Sequence, residues 1–172
     1  MPQRENEFPM IRAATLDDAS ALVAIYNHFV DHTIVTFEEA PVSAADFARR
    51  MQAVMNAALP YLVAERGGVV VGYACATRWK ERSGYRHSVE STVYLAPDEA
   101  GHGLGTALYE ALFARLAAWG AHAVMGGIAL PNEASVALHE KLGMRKVAHF
   151  EAVGLKFGRW IDVGYWQRVL PH

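Results

Sequence analysis

A glycine-rich turn is the stretch whose residue types point most directly to chemistry. Gly101, Gly103 and Gly105 alternate with His102 and Leu104, between a run rich in β-branched residues and a leucine-rich run with helical spacing. The first amides of a helix lack partners within it and carry about half a positive charge, so they attract phosphate. Glycine removes the side chains that would keep a phosphate away from those amides. Two interpretations follow: a phosphate-binding turn, or a tight strand-to-helix connection without a ligand.

The same glycines do not fit the dinucleotide-binding fingerprint. In a G-x-G-x-x-G pattern that starts at Gly101, the last position is Thr106, and the third glycine comes one residue early at Gly105. An acidic residue that binds a ribose is expected about 20 positions later. The stretch 119–130 contains no Asp or Glu. We therefore do not expect a nicotinamide-dependent enzyme.

A short loop that is rich in cations could bind an anionic substrate. Lys80, Arg82 and Arg86 lie between two predicted strands, beside the aromatic residues Trp79 and Tyr85. An arginine can bind a carboxylate or a phosphinate through two parallel hydrogen bonds, which fixes its orientation. The charge pattern by itself leaves a solvated basic loop equally open.

Two further features are expected to be structural. His28 and His32 are spaced i,i+4, but no acidic or cysteine ligand accompanies them in a metal-type motif. We therefore predict a solvated helix face and no metal site. Cys75 is the only cysteine, which excludes an internal disulfide. Its apolar strand pattern indicates a buried, inert thiol.

The elements that would carry these residues follow the order βααβββαβαββ. Capping boxes at 15–18 and 43–46 each precede apolar residues at helical spacing, and alternating or β-branched runs predict the strands. Predicted strands span 10–14, 61–65, 69–77, 88–95, 124–129, 144–154 and 158–169, and the two later helices span 103–119 and 132–142. This order predicts an α+β domain in which helices cover both faces of a mixed, largely antiparallel sheet.

Length and composition predict one soluble domain. The 172 residues are 52% hydrophobic and carry a net charge of −2, which suits a single core and argues against nucleic acid as the main partner. No apolar run approaches the ~20 residues that a membrane span needs. We expect a flexible tail over 1–8 and a single domain over 9–172. No secretory signal is visible, which predicts a cytoplasmic location.

Several runs of the sequence resemble one known family. Residues 93–108 (VYLAPDEAGHGLGTAL) resemble the acyl-CoA motif of the GNAT acetyltransferase superfamily, and 132–144 (NEASVALHEKLGM) resemble its next helix. The resemblance spans about Ile11 to Leu170. Within the superfamily, segments similar to the phosphinothricin (methionine sulfoximine) acetyltransferases are Trp79-Lys80, Ser88–Tyr94, Leu130–Glu133, Leu138–Glu140, Phe157–Trp160 and Gly164–Arg168.

The resemblance implies a GNAT-type fold and an acetyl-CoA-dependent N-acetyltransferase. The acetyl group would pass to the α-amine of phosphinothricin, methionine sulfoximine or a similar small amino acid. Members of this family transfer it directly, without an acyl-enzyme, and are commonly homodimers. We therefore expect acetyl-CoA as co-substrate, an amino-acid-like acceptor and a homodimer.

The resemblance also implies two catalytic residues. Glu90 would act as general base, because an amino-acid amine is mostly protonated at neutral pH and must lose a proton before it attacks. His139 stands where many relatives have a tyrosine, and it would protonate the departing thiolate or relay a proton. Without the resemblance, a solvent-facing strand carboxylate and a helix-surface histidine are the ordinary alternatives.

Binding residues are implied by the same motifs. Backbone N–H groups of the strand 93–95 would polarise the thioester carbonyl. The implied acetyl-CoA-binding residues are Val93, Tyr94, Leu95, Gly101, His102, Gly103, Leu104, Gly105, Thr106 and Asn132. The implied substrate-binding residues are Lys80, Arg82, Tyr85, Arg86 and Phe37.

The chain departs from the family just before the first glycine. Glu99 and Ala100 stand where the superfamily usually has Gln or Arg side chains that assist the pyrophosphate. Glu99 would repel the phosphates unless its side chain turns to solvent. This departure motivates a second hypothesis, a non-catalytic acyl-CoA-binding sensor module. A third, acetylation of peptide N-termini, is less favoured because the Lys80–Arg82 loop suits small anions.

Overall fold

The computed structural model describes residues 7–171, so most of the predicted 1–8 tail lies outside the described residues. The predicted order of elements is confirmed, with boundaries that differ by one or two residues from those expected. The strands are β1 (Met10–Ala13), β2 (Tyr61–Arg66), β3 (Val69–Arg78), β4 (Ser88–Leu95), β5 (Ala123–Leu130), β6 (Arg145–Lys156) and β7 (Arg159–Val169). The helices are α1 (Ala19–His32), α2 (Ala44–Asn56), α3 (Leu104–Trp119) and α4 (Glu133–Lys141).

The seven strands form one mixed sheet in the order β1-β2-β3-β4-β5-β7-β6. Every neighbouring pair is antiparallel except β4 and β5. That parallel pair is short, because only 88–90 of β4 pairs with 123–125 of β5. Beyond this point 91–95 stays paired with β3, while 126–130 stays paired with β7. The sheet is therefore split at its centre, and we call this opening the β4–β5 fork.

Helices cover both faces of the sheet, as predicted. On one face, α1 packs on β4 through Tyr26 and Tyr94, whose ring centroids are 5.3 Å apart. On the other face, a Cβ added to Gly72 of β3 would lie 3.4 Å from Leu108 of α3. The core between these layers contains side chains with no exposed area, including Leu22, Met51, Leu62, Val89, Leu108, Leu112 and Leu116. No helix in the described part of the chain has the length and apolar character to span a membrane.

Two of the predicted helix caps are present as hydrogen bonds. The Ser43 hydroxyl accepts the backbone N–H of Asp46 at 3.1 Å before α2, and the Asn132 side chain accepts that of Ser135 at 3.1 Å before α4. The capping box predicted at 15–18 differs slightly from this. There the Thr15 N–H donates to the Asp18 carboxylate at 2.8 Å in a short 3-10 turn, and α1 begins only after that turn.

Candidate active site

The glycine turn leaves the first amides of α3 open. Gly101 and Gly103 have φ values of +81° and +83°, a backbone region that favours glycine. A Cβ on either would meet no atom within 4 Å, so the glycines are needed for the backbone path and the space above them is free. The first hydrogen bond inside the helix joins Ala107 N–H to Gly103 O at 3.1 Å. The amides of 104–106 precede it, which fits a phosphate group.

The third glycine has a different role. A Cβ on Gly105 would lie 3.4 Å from Leu138, so this position lets α4 approach α3 closely. The predicted cofactor residues His102 and Thr106 are exposed and half-buried, respectively. Glycine therefore serves the backbone at the first two positions and helix packing at the third.

Glu99 neither points to solvent nor lies unpaired, contrary to the two outcomes that the sequence suggested. Its residue is only 9% exposed, and its carboxylate accepts a hydrogen bond from the Arg66 guanidinium at 2.6 Å. Arg66 also donates to the backbone oxygen of Glu7 at 3.2 Å. The positive charge of Arg66 therefore offsets the acidic residue beside the glycine turn. Sequence reasoning missed Arg66 because it stands 33 positions earlier, on β2.

The strand residues predicted to contact the cofactor lie along the β4–β5 fork. Val93 and Leu95 are half-buried beside it. The Tyr94 side chain instead packs among aromatic rings of α1, with its centroid 5.3 Å from Tyr26 and 5.1 Å from Phe29. Any contact of Tyr94 with a ligand at the fork is therefore left to its backbone.

Glu90 lies on the opposite face of the sheet from the glycine turn and lines a cavity of about 450 Å³. It is the one carboxylate among the described residues that line this space. Burial raises the pKa of Glu90, and the nearby positive charge of Lys80 acts in the opposite direction. We call this space the Glu90 cavity; its other lining residues are Val35, Phe37, Gly127, Ala129, Phe150, Val153, Gly154, Val163 and Tyr165.

Two glycines shape the Glu90 cavity. A Cβ on Gly127 of β5 would lie 3.1 Å from the Tyr165 ring, so glycine lets that ring lie against the strand. A Cβ on Gly154 would overlap the Phe37 ring. Gly154 ends an irregular stretch of β6, where the register with β7 shifts between Phe150 and Gly154. We call residues 150–154 the β6 bulge.

The predicted substrate residues are only partly gathered around Glu90. Phe37 lines the Glu90 cavity, and Tyr85 lines an adjoining cavity of about 310 Å³ that shares Phe150 and Tyr165 with it. Lys80 is exposed, with its ammonium 5.1 Å from the centre of the Trp79 ring, which also lines the second cavity.

The two arginines of the basic loop take a different position. Arg82 and Arg86 are exposed and are absent from the described lining of both cavities. Arg86 donates to the backbone oxygen of Ser83 within the loop at 3.2 Å. The roles assigned to Arg82 and Arg86 stay predictions.

His139 is a core residue rather than a helix-surface one. It is 3% exposed, and its Nδ1 lies 2.7 Å from the Ser135 backbone oxygen, which can only accept. Nδ1 therefore carries the proton, and in the neutral ring Nε2 accepts the Tyr109 hydroxyl at 3.4 Å. Burial lowers the pKa of His139, which favours this neutral form. Gly126 makes room for the ring, since a Cβ there would lie 2.6 Å from Nε2.

Tyr109 is a polar residue of this site that sequence reasoning missed. It is 1% exposed on α3, and burial raises its pKa above the ordinary range of a phenol. At the start of the fork, the Ser91 hydroxyl donates to Met125 O at 3.3 Å. The sequence signal that could have identified Tyr109 was its position beside Leu108, on the leucine face of a predicted helix.

The histidine pair and the cysteine were expected to be structural rather than functional. The rings of His28 and His32 lie 5.1 Å apart, and no group of three potential ligands from His, Cys, Asp and Glu is found within residues 7–171. Cys75 is buried, and burial raises the pKa of its thiol to about 12. A thiol with that pKa is a poor nucleophile at neutral pH.

Comparison with known proteins points to one family. The profile of the acetyltransferase (GNAT) domain matches residues 11–164. A phosphinothricin N-acetyltransferase from Alcaligenes faecalis is 40% identical over 161 residues, which cover 93% of this chain and 82% of the relative. An L-methionine sulfoximine/L-methionine sulfone acetyltransferase from Salmonella typhimurium is 38% identical, with 91% and 92% covered. A crystal structure of a Sinorhizobium meliloti phosphinothricin acetyltransferase in complex with acetyl-CoA superposes with a TM-score of 0.91 at 36% identity, covering 94% of this chain and 88% of that one.

Proposed function

Since the chain belongs to the GNAT family of acetyltransferases, we propose that it acetylates the α-amine of phosphinothricin, methionine sulfoximine or a similar small amino acid by direct attack, with Glu90 as general base. It is an N-acetyltransferase that uses acetyl-CoA as its acyl donor. The names of relatives at 40% and 38% identity support the acceptor class. The single observation that carries the proposal is the half-buried carboxylate of Glu90 in a cavity beside the β4–β5 fork.

The chain has a suitable site for acetyl-CoA. The open amides of 104–106 and the two glycines of positive φ would hold its pyrophosphate. When bound, the co-substrate supplies an activated acyl thioester. The fork connects the α3–α4 face, which carries the glycine turn, with the face that carries Glu90. A thioester at the fork would therefore meet an amine from the Glu90 cavity.

Glu90 would remove the proton that blocks attack. An amino-acid amine is mostly an ammonium ion at neutral pH, and only its free base can form the new C–N bond. A carboxylate whose pKa is raised by burial is a stronger base than an ordinary surface carboxylate. The proton would pass to Glu90 directly or through one water molecule. The C–S bond then breaks as the amide forms.

The thiolate that leaves must receive a proton, and the geometry constrains how His139 could give it. Nδ1–H of His139 is committed to Ser135 O, and Nε2 faces Tyr109. We therefore propose that His139 gives no proton itself and instead orients the Tyr109 hydroxyl, whose hydrogen bond it accepts. The thiolate would take the proton that the attacking nitrogen releases as the amide forms. The family resemblance alone suggested only that His139 acts as donor or relay.

The test is a thiol-release assay with acetyl-CoA and a panel of amines that includes phosphinothricin, methionine sulfoximine, L-methionine, a polyamine and a short peptide. We expect turnover on the amino acids. Glu90→Gln should lower kcat by about 10²–10⁴-fold while acetyl-CoA still binds. The matched control is Glu110→Gln, which changes an exposed carboxylate on α3. Wild-type activity in Glu90→Gln would remove Glu90 from the base role.

The same panel separates catalysis from sensing. A non-catalytic module would bind acetyl-CoA and release no thiol with any amine. Glu99 and Ala100 were the sequence features that favoured such a module, and the pairing of Glu99 with Arg66 weakens that argument. Turnover of the peptide in preference to the amino acids would favour the N-terminal acetylation hypothesis instead.

We also propose a homodimer that forms on the β6–β7 edge of the sheet, and a cytoplasmic location. β6 is an edge strand, and Trp160 at the start of β7 is 66% exposed. Further exposed apolar side chains of this edge are Val147, Phe150, Val153, Leu155 and Phe157. Exposed apolar patches of this kind favour association. Sedimentation equilibrium should give twice the chain mass, and Trp160→Lys should shift it toward the monomer.

A further inference from the structure

A buried lysine joins the two sides of the Glu90 cavity. Lys156, the last residue of β6, is 1% exposed. Its ammonium donates to Thr36 O at 2.6 Å and lies 3.4 Å from Phe29 O near the end of α1. Lysine is almost never buried to this extent unless its charge is paired or hydrogen-bonded. The energetic cost of burying this charge indicates a specific role.

The partner segment is the connection between α1 and α2, residues 33–43. Thr36 stands between Val35 and Phe37, both of which line the Glu90 cavity. The contact at Thr36 O therefore fixes the backbone between two lining side chains. Phe29 O lies at the C-terminal end of α1, where the helix dipole favours a cation.

The other end of the contact is close to the β6 bulge. Lys156 follows Gly154 by two residues, and Gly154 is the position over which the Phe37 ring packs. Val153 and Gly154 line the same cavity as Phe37. One ammonium thus connects the strand that forms one side of the cavity to the segment that forms the other.

Other hydrogen bonds hold the 33–43 segment but do not reach the sheet. The Thr36 hydroxyl bonds the Tyr26 hydroxyl at 2.7 Å, and Tyr26 also donates to Glu38. Arg50 of α2 binds the Glu38 carboxylate through two hydrogen bonds at 2.9 and 2.6 Å. These contacts tie the segment to α1 and α2. Among the hydrogen bonds found in residues 7–171, the one from Lys156 to Thr36 O ties the segment to β6.

We propose that Lys156 is a positioning residue of the acceptor site, which clamps the 33–43 segment to the end of β6 and thereby sets the size of the Glu90 cavity. Lys156 lies behind the residues that line the cavity, so it would not touch the amine substrate itself. The inference rests on the proposed function in that it takes the Glu90 cavity as the acceptor site. Loss of the clamp lets Phe37 move away from the bulge, so small acceptors lose their fit and bulkier ones gain space.

The kinetic test compares Lys156→Met with the matched control Lys146→Met, an exposed lysine on the same strand. Lys156→Met should raise the KM for methionine sulfoximine at least about tenfold, because small misplacements of a binding wall are costly. The KM for acetyl-CoA should stay unchanged. The ratio of kcat/KM for methionine sulfoximine to that for L-phenylalanine should fall. Lys146→Met should change none of these values, and Lys156→Arg, which keeps a cationic donor, should restore much of the acceptor KM.

Two results in Lys156→Met would overturn the proposal: an equal rise in the KM for methionine sulfoximine and the KM for acetyl-CoA, or an unchanged KM for methionine sulfoximine. If Lys156→Met does not fold, Lys156→Gln replaces it. The glutamine side chain is too short to reach Thr36 O, so this variant should raise the acceptor KM in the same way.

A second measurement does not need turnover. Amide hydrogen exchange should become faster at 33–39 and 150–155 in either variant and stay unchanged in α3; unchanged exchange at both segments refutes the clamp. Wild-type protein that acetylates no amine would refute the proposed function alone.

Discussion

The Arg66 guanidinium binds the Glu99 carboxylate at 2.6 Å, directly before the glycine turn. Glu99 is largely buried, whereas Arg66 keeps about a third of its side chain exposed. The pair joins β2 to the short 3-10 turn over Pro97–Glu99. Arg66 thus holds the segment that leads into the glycine turn and neutralises its acidic residue.

Removal of this guanidinium should weaken acetyl-CoA binding. Arg66→Ala leaves the Glu99 carboxylate unpaired beside the expected phosphates, so like charges repel there. We expect a rise in the KM for acetyl-CoA and a loss of about 1–3 kcal/mol in the free energy of unfolding. The double variant Arg66→Ala/Glu99→Ala should recover most of the acetyl-CoA KM. No recovery in the double variant would show that charge is not the cause.

The two ends of α3 offer a matched test of the phosphate-binding turn. Gly103 and Gly120 flank the helix, both have positive φ, and a Cβ on either meets no atom within 4 Å. Gly103→Leu and Gly120→Leu should each cost about 1–2 kcal/mol of stability through backbone strain. Only Gly103→Leu should also weaken coenzyme A binding, measured by calorimetry. Equal coenzyme A affinity in the two variants would contradict a phosphate site at the turn.

The acidic side of the pH–rate profile should report Glu90. A general base works in its deprotonated form, so kcat/KM falls as the pH drops through the raised pKa of Glu90. The charge of Lys80 lowers that pKa, opposing the effect of burial. Lys80→Met should therefore move the acidic limb to higher pH, whatever it does to the absolute rate. The control is Lys141→Met, which changes an exposed lysine on α4 and should leave the acidic limb in place. An acidic limb that does not move in Lys80→Met would argue against the coupling between Lys80 and Glu90.

The buried His139 should make the protein less stable in mild acid. Its pKa lies below the ordinary value of 6.5. As the pH falls below that value, the unfolded chain binds a proton that folded His139 does not, so the free energy of unfolding decreases. His139→Gln should lower Tm at all pH values. The decrease in Tm between about pH 7.5 and about pH 5.5 should, however, be smaller in this variant than in the wild type. Thermal unfolding of both proteins measures this, and an identical drop would mean that folded His139 is readily protonated.

Much of the fold follows from local patterns. The Ser43 and Asn132 caps, the glycine turn and the strand of Glu90 are all visible in short windows, because helical spacing and strand alternation depend on neighbouring residues. The sequence order also predicts the layers. It does not predict that β4 and β5 separate after three paired residues, since no local signal marks where a parallel ladder ends.

Side-chain partners were harder to predict than elements. The residues that neighbour His139 in the sequence suggest a position on a helix surface. In the structure, however, His139 packs against Gly126 and forms a hydrogen bond with Tyr109, two residues on other elements. Glu99 was expected to repel the phosphates unless its side chain turned to solvent, and instead it binds Arg66. In each case the partner is more than ten residues away in the chain. The site roles of the basic loop and of the glycine turn stay predictions.

The amino-acid sequence alone was enough for the order of the elements, for the caps and turns, and for the resemblance that suggests Glu90 and the glycine turn as functional. These depend on backbone preferences and on spacing within about ten residues. The folded structure was needed to see which charges meet and which rings form the sides of the Glu90 cavity. Arg66 with Glu99, Phe37 over Gly154, and Lys156 with Thr36 are pairs set by strand register and helix packing, and these depend on the whole core at once.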